Sequence, residues 1–176
     1  MTDLPALLAL QAPATLVKLA EPWSQIYGDS KLLPTLIVFA HIAALVFAGG
    51  LAITLDRATL RASRGPAEFR WRQLEALAAA HRIVIAGIAL SLVTGVLLFA
   101  ADIETYFVSW IYWFKMGLIV LLLTNGYVMT RAEARIGSSP NAEDDAGWKR
   151  LRMTAMASLV LWFAIAFAGV ALVKAA

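Results

Sequence analysis

Residues 33–55 read LPTLIVFAHIAALVFAGGLAITL, an unbroken apolar run whose one ionisable side chain is His41. A helix rises 1.5 Å per residue, so about 20 such residues cross a hydrocarbon core roughly 30 Å thick. The run is long enough, and its Leu, Ala, Ile and Val content lacks the polar–apolar alternation of a barrel strand. Charge resumes at once in Asp56-Arg57. Three further runs share this character, at about 78–100, 111–130 and 153–173. The pattern predicts an all-α protein: a four-helix transmembrane domain over residues 31–176. Residues 1–30 form a separate N-terminal segment. Positions 4–20 are apolar but too short to span and read as a short interfacial helix, with Trp23 and Tyr27 as headgroup-level anchors. The segment lacks the form of a signal peptide, because Met1-Thr2-Asp3 brings no basic region and Pro13 interrupts the apolar stretch.

Composition agrees with lipid as the solvent. Of 176 residues 61% are hydrophobic and 15% charged, against about 25% charged in soluble domains. There is no cysteine, which removes disulfides, thiolate metal sites, iron–sulfur clusters and cysteine nucleophiles together. The net charge of +3 has a topological explanation and does not point to nucleic acid. The first loop holds Arg57, Arg61, Arg64, Arg70 and Arg72, and the third Arg131, Arg135, Lys149, Arg150 and Arg152. The second, around residues 101–110, holds Asp102 and Glu104 and no basic residue. The positive-inside rule places loops one and three in the cytoplasm and both termini outside. The expected setting is the bacterial inner membrane, with the lipid bilayer as principal partner and periplasmic or extracellular termini. In the third loop, Gly137-Ser138-Ser139-Pro140-Asn141 and Glu143-Asp144-Asp145 read as a turn cluster and a solvated acidic patch.

Small residues recur at helical spacing: Ala40, Ala44, Ala48 and Ala52 in the first span, Gly87, Ser91 and Gly95 in the second, Ala164 and Ala168 in the fourth. Such stripes let helix backbones approach where lipid supplies no hydrophobic drive for association. They predict close packing within the bundle, and the same faces could join copies in a homo-oligomer. His41 shares its stripe with Pro34, Ile37, Ala44 and Ala48, and so should face the interior. A fainter pattern is Arg57-Ala58-x-x-Arg61 recurring as Arg131-Ala132-x-x-Arg135, an offset that also sets Lys115 against His41. A duplicated hairpin would produce it.

Ionisable residues inside spans are costly and are candidates for function. By helical rise, His41 lies about two turns and Lys115 about one turn below the outer surface. These two share an outer layer, while His81 and Asn125 form an inner one with Asp56 and Thr130 nearer the surface. His41 and His81 should differ in depth by roughly 14 Å, too far to bind one iron together. An outer-layer haem b is more consistent. There His41 would be an axial ligand, Lys115 would neutralise a propionate, and Met116, at similar depth, could be the sixth ligand.

Three stretches carry a family resemblance: Phe39-Ala40-His41 through Gly49-Gly50 to Leu55-Asp56-Arg57; Thr94-Gly95-Val96-Leu97-Leu98-Phe99; and Trp113-Phe114-Lys115-Met116 leading to Asn125. Together they resemble small four-helix bacterial inner-membrane proteins. The helix-one histidine and helix-three lysine are similar to those of HemJ-type protoporphyrinogen oxidases and, more distantly, CopD-type copper proteins. The HemJ-like resemblance implies haem or porphyrin binding at His41, with Lys115 as a second functional residue. Asn125 stands where that family would be expected to carry a further histidine, a departure that bears on the oxidase activity itself.

Three functions follow as expectations. The first is a haem-b redox protein, an electron-transfer or porphyrinogen-oxidase-like chain served by a redox partner. The second is a copper or small-solute transport protein using His41, Met116 and Lys115. The third is a non-catalytic accessory membrane protein. The H-E-x-x-H metal motif, the G-x-S-x-G elbow and a glycine-rich phosphate loop are all absent. Nothing resembles a nucleic-acid module.

Overall fold

The computed structural model describes residues 11–138 and 144–175, with the side chains of residues 11–138 and 144–174. Among these the chain is helical, without strands: α1 (Ala14–Asp29), α2 (Leu33–Ala62), α3 (Ala67–Ala101), α4 (Ile103–Val108), α5 (Trp110–Gly137) and α6 (Asp145–Ala175). Helices α2, α3, α5 and α6 are each long and apolar enough to cross a membrane. The expected four-helix architecture is present.

All four helices outrun the apolar runs at the arginine-rich end. α2 continues to Ala62, α3 begins at Ala67, α5 reaches Gly137 and α6 begins at Asp145. The extra turns are built from Ala, Arg, Leu, Glu and Gln, which are good helix formers, and their inner faces bury side chains. Ala62, Leu77, Met129, Ala132, Ile136, Trp148 and Leu151 form one core cluster there. Hydropathy marked where lipid contact stops, whereas the helices stop where turn chemistry intervenes. Between α2 and α3 this is Ser63-Arg64-Gly65-Pro66, with Pro66 as the N-cap of α3; its ring cannot donate the next helical hydrogen bond. Of the turn and acidic patch expected after α5, residues 139–143 lie outside the described residues.

Within the bundle α3 packs on α2, α2 on α6, and α6 on α5. The small-residue stripes make the first of these contacts. A Cβ at Gly87 would stand 2.7 Å from the Ala48 Cβ, and one at Gly49 3.0 Å from the Trp162 ring. At these positions the small residues of α2 and α3 are used in contacts within the chain. Ala48, Leu122, Trp162 and Ile165 form the mid-bundle core. Large apolar side chains such as Phe39, Phe47, Phe163 and Phe167 point outward and stay exposed, as a lipid-facing surface requires.

The N-terminal segment differs from expectation. Its helix covers Ala14–Asp29, not 4–20, and residues 1–10 lie outside the described residues. Trp23 is not a free anchor: its indole N–H donates to the Leu97 carbonyl at 2.8 Å. Ser24 likewise donates to the Ala101 carbonyl at 2.9 Å. Ala101 ends α3, where carbonyls lack helical partners, and Leu97 lies about one turn before it. The second loop folds into α4, whose first turn is capped by Asp102 accepting from the Thr105 N–H. Around it Phe99 stacks on Tyr112, and Trp113 packs edge-on against Phe107 and Tyr112. One end of the bundle is thus aromatic and the other rich in arginine.

Candidate functional site: a polar-ended cleft between α3 and α5

The sequence-predicted residues divide between two places. Towards the aromatic end, His41 projects from α2 onto α3. Its Nδ1 lies 2.9 Å from the Thr94 hydroxyl oxygen, and its Cε1 is 3.3 Å from where a Cβ on Gly95 would stand. The Thr94 hydroxyl has a single proton, and two backbone carbonyls lie within its reach, Leu90 at 2.7 Å and Ser91 at 3.1 Å. With that proton given to either carbonyl, the hydroxyl oxygen accepts from the Nδ1–H tautomer of His41, in which Nε2 keeps a lone pair.

Lys115 belongs to the same layer, close enough for its charge to act on His41. Its ammonium reaches across to α6, where Nζ lies 3.7 Å from the Cβ position of Gly169. Met116 follows by one residue and so points about 100° further round α5. His41 and Lys115 thus share one layer of the bundle, while Met116 faces another side of α5.

His81 lies elsewhere. It sits thirteen residues from Thr94 along α3, roughly 20 Å by helical rise, which keeps the two histidines apart as expected. Its Nδ1 is 3.7 Å from a Glu133 carboxylate oxygen on α5. Both residues line a cleft of about 320 Å³ to which all four long helices contribute. The cleft exists because α3 and α5 are not packed on each other. Asn125 lines it too, but its amide donates to the Thr154 carbonyl of α6 at 2.9 Å, so it also ties helices together.

The cleft has two different ends. Towards the arginine-rich end stand Asp56 from α2, His81 from α3, Glu133 and Thr130 from α5, with Ser158 of α6 beside them. The opposite end is walled by Ala52, Ile85, Ile88, Leu122, Leu123 and Trp162. Asp56 is only 2% exposed. Among the described residues its Oδ2 has no hydrogen-bond partner, and neither has Oε1 of Glu133. Buried oxygens of this kind ordinarily find donors, and leaving one unpaired costs about 1–3 kcal/mol or more when charged. Among the described residues no three of His, Cys, Asp and Glu are grouped as metal ligands.

Glu133 and Ser158 were not singled out from sequence, and Asp56 was placed only as a near-surface companion of His81. Glu133 sits between Arg131 and Arg135 and so resembles part of a solvated helix end. The signal was its spacing: Asn125, Met129 and Glu133 fall on one face of α5 at successive intervals of four. No family model, curated protein or solved structure matches this chain.

Proposed function

We propose that the protein is a multi-pass membrane protein that binds a small amphiphilic solute in the α3–α5 cleft and serves its transport or retention. One observation carries this reading. Polar side chains from four helices converge at one end of an otherwise apolar cavity, and two carboxylate oxygens there lack partners. Polar groups inside spans are costly and persist where they serve a path or a ligand. A mostly apolar concavity with a few convergent polar groups is the usual form of a small-molecule site. The positive-inside pattern supports a bacterial inner-membrane placement with both termini outside and the polar end of the cleft towards the cytoplasm.

The test is stoichiometric binding of a fluorescent apolar probe by the chain in lipid nanodiscs. Wild type should saturate at one probe per chain, and Ala80→Trp, which fills the cleft wall, should weaken binding at least about tenfold. Uptake indistinguishable from empty nanodiscs would remove the proposal.

A second reading, haem b at His41, is favoured by a separate observation. The Thr94 hydroxyl can accept from the Nδ1–H tautomer of His41, which leaves Nε2 able to ligate, the state an axial histidine needs. Lys115 nearby would suit a propionate, and the HemJ-like resemblance of residues 39–57 and 113–116 points the same way. Bound haem would supply one-electron chemistry to a redox partner. Purified protein should then show a Soret band abolished by His41→Ala and kept by His81→Ala. A colourless preparation after haem-supplemented expression would eliminate this reading.

A further inference from the structure

We propose that the occupant of the α3–α5 cleft carries a cationic amine head, clasped by Asp56 and Glu133, with a short apolar tail directed towards Trp162. The inference rests on the cleft-binding reading above and adds the chemical class of the ligand.

The first support is unmet hydrogen bonding. Asp56 is almost wholly buried, yet its Oδ2 has no donor, and Glu133 Oε1 is in the same condition from the opposite helix. Ionised carboxylate oxygens only accept, so the partner that an ionised Asp56 or Glu133 lacks is a donor. An alkylammonium brings three N–H donors and a compensating charge on one atom. A neutral alcohol brings a single donor, and an anion brings none.

The second support is charge. The titratable side chains lining the cleft are Asp56 from α2, His81 from α3 and Tyr127 and Glu133 from α5, while α6 adds the Ser158 hydroxyl; the Tyr127 hydroxyl already accepts from Arg131 Nε at 3.0 Å. No lysine or arginine lines the cleft. Arg70, near the same end, does not line the cleft: it donates to the Ser63 carbonyl, lies over the Trp148 ring and pairs with Asp145, and its buried Nε lacks a partner among the described residues. His81 is already beside Glu133 Oε2, which leaves Glu133 Oε1 and Asp56 Oδ2 without partners among the described residues.

The third support is shape. Glu133 and Leu122 are eleven residues apart on α5, about 16 Å of helical rise, and Leu77 and Ile88 span the same depth on α3. The polar groups occupy one end of that length and aliphatic or aromatic side chains the other. A bare ion would leave the apolar end unused, whereas an amine with a short tail satisfies both. The volume, about 320 Å³, lies at the small end of ligand pockets, and the gap between α3 and α5 offers a route in from the bilayer.

The experiment compares octylamine, octanol and octanoate, each radiolabelled, for saturable binding to the full chain in nanodiscs after subtraction of empty discs. Wild type, Asp56→Asn and Glu133→Gln are measured together, with thermal melts to verify folding. The expected result is one octylamine per chain, bound at least about tenfold more tightly than octanol, and at least about tenfold weakened by either substitution, since hydrogen bonds to charged groups are worth about 1.5–3 kcal/mol. Equal binding of amine and alcohol overturns the cationic head while leaving the cleft reading intact. So does amine binding that both variants retain. No saturable binding of any of the three, together with failure of the apolar probe, removes the cleft reading as well. The amine-to-alcohol ratio on wild type decides without a variant, so a substitution that prevents folding does not blunt the test.

Discussion

His41 Nδ1 meets a threonine hydroxyl that also lies within hydrogen-bond reach of two backbone carbonyls of its own helix. Thr94→Val keeps the shape but removes the acceptor, leaving a half-buried imidazole N–H without a partner. The cost should be about 1–3 kcal/mol, read as a lower melting temperature in detergent, while Thr124→Val, on an exposed position that bonds only its own helix, should change little. Glycines make a second contrast at this scale. Gly87→Ala places a methyl 2.7 Å from the Ala48 Cβ, where neither backbone has room to yield; a loss of about 1–3 kcal/mol is expected. At Gly50 a Cβ meets nothing within 4 Å, so Gly50→Ala should be neutral or gain up to about 1 kcal/mol from helix propensity. Equal effects of the two substitutions, measured by thermal melting, would contradict the packing of α2 on α3. Of these residues, His41 was visible as an intramembrane histidine and Gly87 as part of a stripe. Thr94 was not visible as a partner, because its role depends on the rotation of α3 against α2.

Among the elements, α1 shows most plainly how far local pattern reaches. Its helical, partly apolar character is legible, but its attachment is not. Trp23 and Ser24 dock on carbonyls at the end of α3, and no periodicity in residues 14–29 announces acceptors more than seventy residues away. Trp23→Phe retains the aromatic bulk and removes the N–H. It should cost about 1 kcal/mol and raise hydrogen exchange in α1 selectively, with α2, α3, α5 and α6 unaffected. Unchanged exchange in α1 would mean that the indole bond does not hold it. The long helices teach a related lesson. Hydropathy located their lipid-facing centres, yet the turns carrying Asp56, Thr59 and Gln73 were legible only as loop-like polar sequence. In the fold they are helix, and Gln73 of α3 donates to Thr59 and to the Leu55 carbonyl of α2.

For the whole molecule, the order α3–α2–α6–α5 leaves one gap in the ring of helices, and that gap is the cleft. If α2–α3 and α5–α6 were related as the Arg-Ala-x-x-Arg echo hints, the packed α2–α6 contact would be matched by an α3–α5 contact. The site occupies the place where that match is missing. The absence of cysteine makes topology directly testable: Ser63→Cys and Ser138→Cys should react with a membrane-impermeant maleimide only from the cytoplasmic side, and Ser109→Cys only from the outer side. The opposite pattern would invert the proposed orientation, and labelling of all three from one side would refute the four-span topology.

Length, composition and spacing by themselves determined that this chain builds four membrane-crossing helices, which ends gather arginine, and which small residues bring the helices together. Those properties are local, because the bilayer tests each segment separately for apolar length and each stripe for small side chains. The tertiary structure alone decided that Asp56, His81 and Glu133 meet at one end of a cleft and that Thr94 meets His41. Such meetings depend on which helices neighbour one another and how each is rotated about its axis. Both are settled by packing across the whole bundle and leave no periodic trace in any one segment.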